Sequence, residues 1–325
     1  MTGSTTGTPT GIGARPVLGT MTFADTVDEG TAKEMLDVAL THGVTAVDTA
    51  NAYAGGATEE LLGTLLVGRR DEVELASKVG MPHPDAGDDA LLSPVAVRRC
   101  VEASLRRLRT DRLDLLYLHQ PDRSTPVEDT LAAVAELVAE GKVRSLGVSN
   151  YAAWQIADVE TAADRVGAPR PVVAQQLYNL LARRIEEEYV EFATVHHLAT
   201  MVYNPLGGGL LTGRHRFSDR PSEGRFGSSR LAEMYSQRYW DEQLFGAVER
   251  LRAVADGAGL PMAELALRWT AHRDVVDSLL LGGSRAEQLQ QNLEALAAGP
   301  LPADVLEACD EVGAALRGPA PAYNR

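Results

Sequence analysis

Short, almost unbroken apolar runs alternate along this chain with longer stretches whose apolar residues recur at helical spacing. Eight runs read as strands: PVLGTM (16–21), TAVDTA (45–50), VELASKV (73–79), LDLLYLHQ (113–120), VRSLGVSN (143–150), VVAQQLYN (172–179), TMVYNP (200–205) and VDSLLLGG (276–283). Most do not alternate polar with apolar positions. Both faces of each strand are therefore expected to be covered, as in a parallel sheet flanked by helices.

The stretches between them carry helix signals. GTAKEMLDVALTHG puts Ala32, Met35, Leu36, Ala39 and Leu40 on one stripe and stops at Gly43. In SPVAVRRCVEASLRRLR, Ser93 is the predicted N-cap and Pro94 lies in the first turn. STPVEDTLAAVAELVAEGK repeats the device with Thr125 and Pro126 and stops at Gly141. Strand starts recur roughly every 30 residues, the length of a βα repeat. Two segments lengthen the repeat: 80–93, rich in Pro, Asp and Gly, and the stretch between strands seven and eight. The latter predicts a long polar loop followed by two helices. One more helix is expected near 302–316, before the tail PAPAYNR.

Eight such units predict an α/β fold of the (β/α)₈ TIM-barrel type, with the long loop and extra helices between strands 7 and 8 and a C-terminal helix and tail. Residues 1–14, rich in Gly, Thr and Pro, are expected to be flexible, and 15–325 to form a single barrel domain. A doubly wound sheet is disfavoured. GIGARP (11–16) precedes the first strand instead of following it, and Pro16 stands where the third glycine of a dinucleotide fingerprint belongs.

Composition narrows the function. Apolar residues make up 45% and charged residues 23% of the 325, as in soluble globular proteins. The net charge of −14 repels phosphate backbones and anionic bilayers, so neither nucleic acid nor membrane is an expected partner. Cys100 and Cys309 are far apart and fit neither a disulfide framework nor a zinc site. No stretch approaches a membrane span and the N-terminus lacks a secretory pattern, so a cytoplasmic location is expected.

In such a barrel chemistry belongs at the C-terminal ends of strands. Asp48 closes strand two, with Tyr53 just beyond it. Lys78 closes strand three and His119 strand four. A single strand-end Asp is usually a turn former, and a single strand His a core group. Here three consecutive strands deliver titratable groups to one rim inside apolar runs, where burial without partners is costly. Each is thus expected to partner another. Lys78 would favour the phenolate of Tyr53 and lower its pKa; Asp48 would hold the ammonium; a neutral His119 would orient a substrate oxygen. No metal-ligand cluster and no base-activated nucleophile is present. Such a centre protonates a carbonyl oxygen and needs a separate hydride donor.

GVTAVDTANAY, LASKVG, LDLLYLHQPD, GKVRSLGVSNY, QQLYNLLAR, YNPLGGGLLTG and EQLQQN, in this order, resemble the aldo-keto reductase superfamily over nearly the whole chain. LHQPDRSTPVEDTL, VYNPLGGGLLTGRH, EGRFG and PAYNR are similar to its aflatoxin-aldehyde (succinic semialdehyde) reductase branch. The resemblance implies NADPH-dependent reduction of small or acidic aldehydes and ketones, with hydride from the nicotinamide and the proton from Tyr53. Asp48, Lys78 and His119 complete the implied catalytic set. Ser149, Asn150 and Gln175 are implied to hold the carboxamide, with Thr20, Met21 and Asp48 lining the cofactor site. Tyr203 is implied to stack on the nicotinamide. The stretch 203–213, including Asn204, Pro205, Leu206, Gly208 and Leu210, wraps the pyrophosphate. Gly283, Ser284, Gln288, Gln291 and Asn292 match positions near the adenosine end, with Arg285 or Arg214 left as the contact to the 2′-phosphate. Arg225 and Arg325 match residues that grip a substrate carboxylate. Relatives are often homodimers.

Rivals remain. A keto-sugar or secondary-metabolite ketoreductase keeps the chemistry and changes the substrate. A lyase would use Lys78 as a Schiff-base amine, against which Asp48 speaks by keeping it charged. A cofactor-sensing regulatory subunit is the third. GGLLTGRH (208–215) resembles a P-loop but has Arg214 and His215 where Lys and Ser/Thr belong. His196 and His197 read as surface or packing residues.

Overall fold

The computed structural model describes residues 13–318. Positions 1–12 of the expected flexible N-terminus, and Arg325, lie outside the described residues. Eight parallel strands close into a barrel in chain order: β1 (Arg15–Gly19), β2 (Ala46–Asp48), β3 (Glu74–Val79), β4 (Leu115–Leu118), β5 (Leu146–Ser149), β6 (Val173–Leu177), β7 (Ala199–Tyr203) and β8 (Ser278–Leu281). The ring shuts where β1 pairs with β8, Arg15 opposite Ser278 and Leu18 opposite Leu281.

The helices after the first six strands are α1 (Glu29–Thr41), α2 (Ala57–Leu65), α3 (Pro94–Leu108), α4 (Val127–Ala139), α5 (Ala153–Val166) and α6 (Tyr189–His196). Asp28 caps α1, accepting from the Thr31 N–H at 2.8 Å, and Ala32, Met35, Leu36 and Ala39 are buried beneath it. Ser93 caps α3 as expected, with Pro94 in its first turn. Thr125 does not cap α4. Its hydroxyl donates to Asp122 at 2.9 Å, and the helix starts at Val127, because Asp122 gathers the turn around itself. Between β7 and β8 lie three helices instead of two: α7 (Ala232–Tyr239), α8 (Glu242–Gly257) and α9 (Met262–Ala271). The additional one, α7, is short and turns Tyr235 and Tyr239, one helical turn apart, inward. Helices α10 (Ala286–Ala297) and α11 (Ala303–Arg317) follow β8.

Two apolar clusters build the molecule. The large one fills the space between strands and helices. The small one plugs the barrel: Val17, Ala46, Ala76, Tyr117, Val173 and Met201. The Tyr117 ring fits the lumen because Gly147 faces it; a Cβ at that glycine would stand 2.7 Å from the ring. Side chains two apart on a strand share a face. The residues one step up from the plug are therefore Asp48 above Ala46, Lys78 above Ala76, His119 above Tyr117, Gln175 above Val173 and Tyr203 above Met201. Elementary strand geometry thus collects the strand-end polar residues over an apolar floor.

Candidate active site

Lys78 and Asp48 are almost fully buried. Removing two charges from water costs several kcal/mol for each ion unless both are paired and hydrogen-bonded. Here they are. The Lys78 ammonium donates to the Asp48 carboxylate, to the Thr49 carbonyl at 2.9 Å and to the Tyr53 hydroxyl at 3.1 Å, which uses its three protons. The second Asp48 oxygen accepts from the Gln175 amide at 2.9 Å. Burial works against the charge on Lys78, but Asp48 and Tyr53 outweigh it and hold the ammonium above its ordinary pKa.

Tyr53 corrects one expectation. Lys78 pulls the phenol toward the phenolate, as expected, but burial pushes harder the other way, and Asp48 adds to it. The phenol therefore sits above its ordinary range, first because it is buried and then because the carboxylate that anchors Lys78 offsets part of the ammonium's field. His119 is buried and is pushed down to about 3, first by burial and then by the Lys78 charge, so the imidazole is neutral. Its ring lies edge-on to Tyr53, centroids 6.0 Å apart at 80°, and its Nδ1 is buried without a hydrogen-bond partner. The four residues thus meet at one point: an ammonium, a carboxylate, a protonated phenol and a neutral imidazole.

The strand-end side chains of β5 to β7 are neutral and bonded to one another. Asn150 has a left-handed backbone, φ 61°. Its amide donates to the His119 carbonyl at 3.0 Å and to the Ser149 hydroxyl at 3.1 Å, and its carbonyl accepts from the Tyr203 hydroxyl at 2.7 Å. Ser149 donates to the Gln175 carbonyl at 3.1 Å. Thr20 turns inward, its hydroxyl on the Asp48 carbonyl at 2.9 Å, beside the partly buried Met21. The chain after Tyr203 turns at Asn204, φ 62°, whose side-chain carbonyl accepts from the Gly208 N–H at 2.7 Å. Pro205 follows directly, and Leu206 accepts from the N–H groups of Gly209 and Leu211. Gly207, Gly208 and Gly209 all have positive φ, and a Cβ at Gly208 would stand 2.7 Å from the Tyr235 ring. Leu210 sends its side chain into the core.

At β8, the Gln288 carbonyl accepts from both the backbone N–H and the hydroxyl of Ser284, at 3.1 and 3.0 Å. Gly283 accepts from Thr22, Asn292 donates to the Gly282 carbonyl, and Arg285 and Gln291 are exposed. Arg225 lies over the Tyr235 ring, 5.6 Å from its centroid, and its guanidinium is 3.9 Å from the Cβ position of Gly282. The long loop thus folds back over the barrel mouth, and Ser229 donates to Asp25 beyond β1 at 2.9 Å.

Sequence reasoning missed several contributors. Asn179 donates to the Asn204 carbonyl and to the Tyr239 hydroxyl, and so sets the turn after β7. Tyr239 and Tyr235 arrive from α7. Their one local signal is the four-residue spacing of two aromatics beside Trp240. Among the described residues no group of His, Cys, Asp and Glu is arranged to hold a metal, and no helix is long and apolar enough to cross a membrane.

A closed parallel barrel with a buried ion pair, a phenol and a neutral imidazole at its C-terminal rim has the groups an enzyme uses to move a proton. Residues 17–314 match the sequence model of the Aldo/keto reductase family. The chain belongs to that family and is an oxidoreductase acting on carbonyl groups. It is 39% identical over 331 residues to aldo-keto reductase family 7 member A3 of Homo sapiens, covering 96% of this chain and 98% of that protein. It is 37% identical over 324 residues to aflatoxin B1 aldehyde reductase member 2 of Rattus norvegicus, covering 95% and 87%. A protein named probable voltage-gated potassium channel subunit beta, from Arabidopsis thaliana, is 34% identical over 285 residues, 86% of each chain.

Proposed function

We propose that this chain reduces aldehydes and ketones to alcohols with NADPH, and that Tyr53 donates the proton. The observation that carries this reading is the buried Lys78, hydrogen-bonded at once to Asp48, Thr49 and Tyr53 beside a neutral His119. NADPH, when bound, supplies hydride to the carbonyl carbon.

The residues do the rest. Tyr53 is protonated at neutral pH and holds its proton where a carbonyl oxygen gathers charge. Lys78 stabilises the phenolate left behind, and Asp48 keeps Lys78 charged and fixed. Neutral His119 donates a hydrogen bond to the same oxygen and orients it. The rim after β5 to β8 fits a nicotinamide cofactor: the positive-φ glycines 207–209 and the glycines ending β8 let a ligand approach the backbone closely. Ser149, Asn150 and Gln175 hold the carboxamide and Tyr203 the ring, with Thr20 and Met21 alongside. The 203–213 turn, with Asn204, Pro205, Leu206, Gly208 and Leu210, lies along the pyrophosphate. Gly283, Ser284, Gln288, Gln291 and Asn292 take the adenosine end, with Arg285 or Arg214 at the 2′-phosphate. Arg225, folded over the mouth, favours small or acidic aldehydes.

The relatives named for aldehyde reduction support the substrate class. The complete proton-transfer centre favours catalysis over a purely regulatory role. The test is purified protein with NADPH and a panel of succinic semialdehyde, 4-nitrobenzaldehyde and neutral ketones, followed by loss of reduced-cofactor absorbance. Turnover of the aldehydes is expected. Folded protein that turns over nothing in the panel overturns the reading.

A further inference from the structure

Behind the catalytic centre lies a second buried ionic cluster that the chemistry above does not use. Glu59, on the first turn of α2, is fully buried. One of its oxygens accepts from the Ser77 hydroxyl at 2.6 Å; the other accepts from Arg107 Nε at 2.8 Å. Arg107, near the end of α3, also pairs with Asp85 at 2.8 Å, and Asp85 lies 3.1 Å from His83.

The connectivity of this cluster is telling. Ser77 immediately precedes Lys78 on β3. Glu59 lies six residues after Tyr53. Between Tyr53 and α2 the backbone passes through three consecutive positive-φ residues: Ala54 at 47°, Gly55 at 65° and Gly56 at 98°. A left-handed alanine is costly and persists where its surroundings over-determine it. The surroundings are visible. Gly56 lies against the Arg107 side chain, which a Cβ there would meet at 3.1 Å, and α2 is held at Glu59. Thr58 adds a bond to the Phe23 carbonyl at 2.7 Å. A buried carboxylate is an expensive way to join a helix to a strand, since a well-packed apolar pair is often as stable. What the carboxylate adds is a fixed register between the two.

We propose that Glu59 is a positioning residue for proton transfer: by binding Ser77 and Arg107 together it fixes the turn that carries Tyr53 against the strand that carries Lys78. This rests on the reading of Tyr53 as proton donor. Loss of the tie lets the phenol drift from the ammonium, and a displacement of about 1 Å between reacting groups costs on the order of a hundredfold in rate. Most of the proposed cofactor contacts come from β5 to β8; these, and Thr20, Met21 and Asp48, lie outside the tie and are left in place.

The experiment compares wild type, Glu59→Gln, Ser77→Ala, Arg107→Lys, Arg107→Met and Tyr53→Phe, with NADPH and 4-nitrobenzaldehyde. Steady-state constants are measured beside the cofactor Kd, from quenching of protein fluorescence, and the melting temperature. Glu59→Gln and Arg107→Met are expected to lower kcat by about tenfold to a hundredfold, with aldehyde KM and cofactor Kd within about twofold of wild type. Arg107→Lys, which keeps the charge, is expected to retain most of kcat. Ser77→Ala, which removes one hydrogen bond, is expected to lower kcat by roughly threefold to tenfold. If kcat, KM and Kd all worsen together with the melting temperature, Glu59 is merely structural and the proposal falls. It also falls if Glu59→Gln and Ser77→Ala match wild type while Tyr53→Phe is inactive, and the reductase reading then stands. An active Tyr53→Phe removes the proton-donor reading and this proposal with it. Should Glu59→Gln fail to fold, Ser77→Ala and the Arg107 pair decide by the same criteria.

Discussion

Between β2 and β4 the barrel rim is built on a buried, locked ion pair; between β5 and β8 it is made of neutral strand-end side chains and turns bonded to one another, with Arg225 and Arg238 reaching in from the long loop and α7. In the first half Lys78 has three acceptors and no freedom left. In the second, Tyr203, Asn150 and Ser149 bond in a chain that a ligand can enter by exchanging one neutral hydrogen bond for another. Exchange of that kind costs little, whereas breaking a buried ion pair costs several kcal/mol. The contrast teaches how the barrel divides labour. In the proposed function, the part that must not move is built from charge on strands, and the part that accepts and releases the cofactor is built from polar loops.

The sharpest way to break this comparison is Tyr53→Phe. It is expected to lower kcat by about a thousandfold, within the range of general acid catalysis, while cofactor Kd changes by less than about twofold. Parallel losses in both would mean the halves are not separate. Next comes Asp48→Ala. It leaves Lys78 buried without its counter-ion and is expected to cost about 3–5 kcal/mol in urea unfolding. A change under about 1 kcal/mol would show the pair to be far less costly to disrupt than its burial implies. Tyr203→Phe tests the other half. It removes the bond to Asn150 and is expected to weaken cofactor binding by about threefold to tenfold, with kcat nearly unchanged.

The smallest effect is an absence. His119 takes a proton only near pH 3, and Tyr53 keeps its own above its ordinary range, so kcat for reduction is expected to be flat from about pH 6 to 9. A bend near pH 6.5 that disappears in His119→Gln would contradict the neutral imidazole. Stability carries the same sign. The unfolded chain protonates this histidine below about pH 6.5 and the folded one does not until about 3, so stability falls as pH drops through that window. His119→Gln is expected to soften the acid sensitivity.

The eight strands were legible because a strand covered on both faces must be apolar throughout, and each predicted run contains all or nearly all of an observed strand. The runs mostly overshoot, and for a physical reason. Asn150 and Asn204 are polar residues at strand ends, but their backbones are left-handed and have already left the ladder. Asp48, Tyr53, Lys78 and His119 were readable because three neighbouring strands each interrupt an apolar run with a titratable group. What was not readable was long-range pairing and net electrostatics. Gln175 meets Asp48 across 127 residues, and Asn179 meets Tyr239 across 60. No local pattern encodes either contact. The upward shift of Tyr53 depends on how far burial outweighs Lys78, which is a property of the packed site.

The closure of the ring bears on how the chain reaches this state. Asp48 and Lys78 are joined by a loop of 30 residues, whereas Thr22 reaches Gly283 across 261. Loop closure grows more costly with separation, and non-local pairings are the slow ones in folding. The quarter of the barrel that holds the ion pair can therefore assemble while β1 and β8 are still apart. Closing the seam between β1 and β8 carries the larger loop-closure cost, and the bond from Thr22 to the Gly283 carbonyl at the rim forms only with that closure.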